Sequence, residues 1–77
     1  MEFVVNFKWY DDDRIWIATS SSNDFALTLD HGSFDALIER VKIALYDIAE
    51  KDLGCSGEVR MKLVVDRTIC MDVEAAL

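Results

Sequence analysis

The chain has 77 residues, a net charge of -7 and a hydrophobic fraction of 52%. A single domain of this size buries about 60 to 65% of its unfolded surface, so a second domain does not fit. The apolar fraction, with no proline and few glycines, argues against disorder and against a linker. The acidity repels phosphate backbones and argues against direct nucleic-acid binding, while it suits solubility and attraction to a basic protein surface.

No apolar run approaches the roughly 18 residues that a membrane span needs, and Met1-Glu2-Phe3 lacks the basic start of a signal peptide. A cytoplasmic protein with no membrane contact is expected. Cys55 and Cys70 show no metal-ligand spacing. They are expected to be free structural thiols, with a disulfide or redox pair as the alternative.

The first predicted strand is Glu2 to Tyr10, where Phe3, Val5, Phe7 and Trp9 alternate with Glu2, Val4, Asn6, Lys8 and Tyr10. Asp11-Asp12-Asp13 is a turn signal. Residues 14–20 form the second strand, so the two make an antiparallel hairpin. A loop runs from Ser20 to Asp24. Residues 25–29 alternate again and give a third strand with Phe25, Leu27 and Leu29 toward the core.

Ser33 is placed to cap a helix whose first turn carries Asp35. Phe34, Leu37, Ile38, Val41, Ala44, Leu45 and Ile48 recur at helical spacing. Lys51 and Gly54 mark the helix end, with glycine where a left-handed cap belongs. Residues 58–66 form the fourth strand, with Val59, Met61, Leu63 and Val65 inward. Residues 68–73 either extend it or form a short fifth strand, and residues 74–77 are a frayed end.

The expected fold is α+β: one domain over 1–77, two layers in the order β-β-β-α-β, with one helix on an antiparallel three- to four-stranded sheet. One helix covers one sheet face, so the other meets water or another chain. With the hairpin loop centred on Asp12, Trp9 pairs with Ile15 and Phe7 with Ile17. That register sends Val4, Lys8, Tyr10 and Trp16 to the open face. A register changed by one residue buries Trp16 and exposes Ile15 and Ile17 instead. Exposed aromatic and apolar groups mark an interaction surface. Val4, Lys8, Tyr10 and Trp16 are therefore the candidate partner-binding residues, and a homodimer or a heteromeric contact is expected. The alternative is a C-terminal segment folded back over these groups.

Catalytic and metal-binding constellations are not legible. The Asp11-Asp12-Asp13 run lacks the glycine and distal Glu of a calcium loop and reads as a solvated turn. His31 has no Cys, Ser or second His to work with and is expected in an exposed loop. Ser20-Ser21-Ser22 lacks a nucleophile elbow, and the carboxylates form no marked acid/base pair. Arg60 and Lys62 share one side of the last strand and are expected to pair with acidic neighbours. No enzyme and no cofactor is expected.

Trp9, Asp11-Asp12-Asp13, Ile15-Trp16-Ile17-Ala18-Thr19-Ser20, Leu27 and Ser33-Phe34-Asp35-Ala36-Leu37-Ile38-Glu39-Arg40-Val41 together resemble the stand-alone HicB-like family, over about residues 3–65. The Pro-Gly that family carries before its third strand is replaced here by Phe25-Ala26. The resemblance implies a partly RNase-H-like domain without nuclease carboxylates. It also implies the partner-binding half of an antitoxin, which would neutralise a small basic mRNA-cleaving toxin. Residues 54–77 are too few for the last strand and an operator-binding module, so DNA binding is not expected. The competing expectation is a homodimeric orphan relative with a structural or small-ligand role.

Overall fold

In the computed structural model, which describes residues 1–23, 25–54 and 57–74, the hairpin forms first along the chain. Strand β1 is Glu2–Tyr10 and β2 is Ile15–Ser21, antiparallel, with Tyr10 opposite Ile15, Trp9 opposite Trp16 and Phe7 opposite Ala18. The connecting loop takes four residues, Asp11 to Arg14. The Arg14 N–H bonds the Asp11 carbonyl at 3.3 Å, and Arg14 stands at φ 54, in the left-handed region that closes such a turn. Trp9 Nε1 donates to Asp11 Oδ1 at 3.2 Å, tying the strand end to the turn.

This loop is one residue longer than a turn centred on Asp12, and that residue inverts β2. Strand side chains alternate, so a one-residue change of register exchanges the two faces. Trp16 lies on the core side at 7% exposure, not on the open face. Its ring stands 5.4 Å from Trp9 and 4.7 Å from Phe34, which itself meets Phe7 at 5.1 Å. Ala18 and Ser20 follow Trp16 inward, and Ile15 and Ile17 turn to the open face, half-buried. Strand β3, Ala26–His31, pairs antiparallel with β2, with Ala18 opposite Leu29. Phe25, Leu27 and Leu29 pack against the core as expected.

Helix α1, Phe34–Asp47, starts at Ser33. The Ser33 hydroxyl accepts from the Ala36 N–H at 3.3 Å, and the Ser33 N–H donates to His31 Nδ1 at 2.8 Å. His31 is thus a half-buried residue at the end of β3 that helps seat the helix, and not an exposed loop histidine. Leu37, Val41 and Leu45, one turn apart, form the buried stripe of the helix. The helix widens into a π turn, Ile48–Asp52, that extends the stripe to Ala49. Gly54, at φ 60, follows in the left-handed conformation expected of it.

Strand β4, Arg60–Asp66, pairs with β1 in parallel, giving the order β3-β2-β1-β4. The sheet is therefore mixed, where an all-antiparallel one was expected. The reason is directional: β3 runs with β1, the helix returns the chain to the start of the sheet, and the next strand repeats the direction of β1. The helix lies over β2 and β3, leaving β4 at its margin. Met61 is half-buried, whereas Leu63 and Val65, expected inward, are 37% and 51% exposed on the helix side. Residues 67–74 form neither a fifth strand nor a flap over the open face. In this C-terminal arm residues 67–70 first line a hollow against Trp9 and Asp11, and the chain as a whole is drawn out, with a longest dimension of 64 Å and a radius of gyration of 16.2 Å, against about 11.5 Å for a compact chain of this length. Cys70 is exposed on this arm. The expectations for Cys55 and for a frayed end at 75–77 lie outside the described residues.

The register and the turn that sets it make three predictions. Trp16→Ala should cost about 3 to 5 kcal/mol in denaturant unfolding, as expected for a large buried aromatic, and Trp16→Phe much less. Ile17→Ala should cost under about 2 kcal/mol, because Ile17 is only half withdrawn from water. Arg14→Gly should stabilise the fold by about 0.5 to 1 kcal/mol by relieving the left-handed strain, read as a rise in the denaturation midpoint.

Candidate functional site

The face opposite the helix is built from alternate residues of all four strands. β1 contributes Glu2, Val4, Asn6, Lys8 and Tyr10, and β2 contributes Ile15, Ile17, Thr19 and Ser21. Thr28 and Asp30 come from β3, across from Thr19 and Ile17. Arg60, Lys62, Val64 and Asp66 come from β4, beside Glu2, Val4, Asn6 and Lys8. Of the four residues expected here, the structure brings together Val4, Lys8 and Tyr10, all exposed, and removes Trp16 to the other layer.

A shallow groove of about 300 Å³ crosses the face, lined by Asn6, Lys8, Tyr10, Ile17, Thr19, Val64 and Asp66, with Phe7 at its floor. Lys8 Nζ sits 5.3 Å from the centre of the Tyr10 ring, a cation-π contact that holds both side chains along β1. Val64 and Asp66 were not singled out from the sequence, and Ile17 was expected here only in the alternative register. The signal for Ile17 lay in the β2 alternation once the loop length is known, and that for Val64 and Asp66 in their even spacing with Arg60 and Lys62.

Electrostatically the face is balanced. Lys8, Arg60 and Lys62 stand against Glu2, Asp30 and Asp66, while the acidic excess lies on the Asp11-Asp12-Asp13 loop, the helix layer and the arm. Arg60 Nε bonds Glu58 Oε1 at 2.9 Å, the acidic pairing expected for it. On the helix layer, a hydrogen bond from Lys51 to Asp47 and the Asp47 charge hold the Lys51 ammonium above its usual range. Beneath the face, the Ser20 hydroxyl donates to the Val4 carbonyl at 2.8 Å. Ser20, expected where the second strand meets the loop, is a buried strand residue, and Ser21, expected in the loop, ends the strand.

Two further hollows flank β4 on other sides. One, about 520 Å³, lies between the hairpin end and the base of the arm, lined by Trp9, Asp11, Asp66, Arg67 and Ile69 among others. There the Arg67 guanidinium lies 4.9 Å from the Trp9 ring centre and 5.7 Å from that of Trp16. The other, about 190 Å³, runs between helix and β4 and is lined by Phe3, Lys42, Leu45, Tyr46, Val59 and Met61. Among the described residues, no group of three or more His, Cys, Asp or Glu is placed to hold a metal ion, and no helix is long and apolar enough to cross a membrane.

The sheet order, the single helix and the uncovered face define a small α+β domain of three strands, a helix and a parallel closing strand. The chain belongs to the DUF1902 family, a domain of unknown function, whose model matches residues 2–75. No curated protein and no solved structure matches it.

The open-face side chains serve the fold little. Lys8→Ala and Tyr10→Ala should each shift unfolding free energy by less than about 1 kcal/mol, in thermal or urea melts, against the several kcal/mol expected for a core truncation.

Proposed function

We propose that this chain is a non-catalytic protein-binding module whose partner docks on the sheet face opposite α1. The observation that carries this reading is the groove that brings Tyr10, Ile17 and Val64 together with Lys8 and Asp66 on a face that no element among the described residues covers. A surface of that kind offers an aromatic and aliphatic centre with charged groups at its rim, which is the composition of a protein interface. Val4 and Lys62 extend it toward the other end of β1.

The finer form of the proposal is an antitoxin-like role, with a small basic mRNA-cleaving toxin as the partner. It is supported by the HicB-like pattern of the sequence and by the net charge of -7. Because the sheet face is itself balanced, the attraction to a basic partner would come from the hairpin loop, the helix layer and the arm, acting at long range on association. The apolar groove would supply the close contact.

Co-expression with the product of the adjacent gene tests this directly. A small basic neighbour should co-purify with the wild type, and Lys8→Glu with Tyr10→Ala should cut the recovered complex at least about tenfold while leaving the melting curve close to wild type. A neighbour that is not small and basic removes the toxin-neutralising form. A complex that forms equally well with the double variant removes the sheet face as its site.

A further inference from the structure

Strand β4 is an edge, and it differs from the opposite edge of the sheet. Strand β3 lies against the helix, with Leu27 and Leu29 half-buried under it. Among the described residues nothing covers strand β4, and its helix-side row of Met61, Leu63 and Val65 ends in exposed apolar groups. Edge strands that carry unpaired backbone groups and uncovered apolar side chains are sites of strand addition.

The backbone of β4 faces outward in a defined pattern. The Arg60 N–H bonds the Met1 carbonyl at 2.8 Å. Alternation then turns the backbone groups of Arg60, Lys62, Val64 and Asp66 toward β1 and those of Met61, Leu63 and Val65 away from the sheet. An added antiparallel strand must therefore hydrogen-bond to Met61, Leu63 and Val65.

From these features we infer that the strand added is β4 of a second copy, running antiparallel about a two-fold axis at Leu63, so that two sheets join into one. This register opposes Met61 to Val65, Leu63 to Leu63 and Val65 to Met61 of the second copy. Those are the residues whose N–H and C=O groups point outward. It also places Arg60 across from Asp66 twice, once on each side of the axis, and Lys62 across from Val64. β4 carries Arg60, Lys62 and Asp66, and this register sets each Asp66 against an Arg60, so the directly opposed charges across the joint attract.

The neighbouring registers are poorer. With Lys62 on the axis, Lys62 meets its own copy and Asp66 meets Glu58, both like-charged oppositions. With Val64 on the axis, Lys62 meets Asp66, but the overlap shrinks from the whole of β4 to residues 62–66 and Arg60 loses its opposed acid. The Leu63 axis alone pairs the strand over its full length without a like-charge contact.

The same geometry gives the arm a place. In the Leu63 register Arg67 comes beside Val59 of the second copy. The arm then runs past the hollow that Leu45, Tyr46, Val59 and Met61 line. Ile69, Met71 and Val73 are 67%, 80% and 90% exposed in the single chain, and they alternate with Cys70, Asp72 and Glu74. One apolar row of the arm would thus be turned to that hollow, and joining two copies would cover the edge, the Leu63–Val65 row and the arm together. This association joins the sheets edge to edge and shares Asp66 with the groove but not Lys8, Tyr10 or Ile17, so it stands independently of the partner proposed for that face.

Sedimentation velocity of the full chain from micromolar to millimolar concentration, combined with amide hydrogen exchange, tests the inference. The expected result is a concentration-dependent dimer in which exchange of the Met61, Leu63 and Val65 amides slows as dimer forms. Arg60→Asp or Asp66→Arg alone should weaken the dimer about tenfold to hundredfold. The double variant Arg60→Asp with Asp66→Arg should restore it, because each two-fold contact then pairs opposite charges again. Circular dichroism reports whether each variant folds, and Lys8→Glu with Tyr10→Ala should leave the dimer intact. A monomer at every concentration overturns the inference. So does a dimer without protection at the three amides, or one that the double variant fails to restore.

Discussion

The packing of Trp16 against Phe34, whose ring in turn meets Phe7, is the contact from which the rest of the structure follows. A four-residue hairpin loop sets Trp16 on the helix side, and the same register puts Ala18, with almost no side chain, next along β2 where the helix approaches the sheet. The alternation Trp-Ala-Ser thus puts all three side chains in the buried layer, where volume has to be filled at close packing. The opposite alternation, Ile-Ile-Thr, is left for the open face, and it is why that face carries Ile17 at the centre of a groove.

The second constraint is the reach of one helix. Anchored by Ser33 and His31 at the end of β3, α1 lies along the β2 and β3 side of the sheet. β4 has to add on the far side of β1. It satisfies the backbone of β1 by parallel pairing but gains little cover for its own side chains. The molecule therefore has two uncovered features of different kinds. One is a sheet face with balanced charge and an apolar groove, and the other is a strand edge whose backbone is unpaired.

Those two features do not compete. Docking on a face uses side chains and leaves the backbone ladder untouched, whereas strand addition uses the ladder and leaves the face exposed. The proposed roles can thus coexist on one small domain, a partner on the face of each copy and a second copy along the edge. The acidic groups of the hairpin loop and the helix layer lie away from both and act through the long-range field.

The sequence by itself determined the elements and their order. Phe3, Val5, Phe7 and Trp9 alternate strictly, Ser33 and Asp35 announce a helix start, and the stripe of Leu37, Val41 and Leu45 needs no partner to be recognised, because each signal lies within a few residues of chain. Val4, Lys8 and Tyr10 were placed on the open face for the same reason. Only the tertiary structure decided the face of Trp16, the parallel direction of β4, and the exposure of Leu63 and Val65. The first depends on a single loop residue and on a ring brought in from α1, and the others on where a helix of fixed length and width comes to rest. None of these is a local property of the chain, since each is settled by which distant surfaces can close over one another.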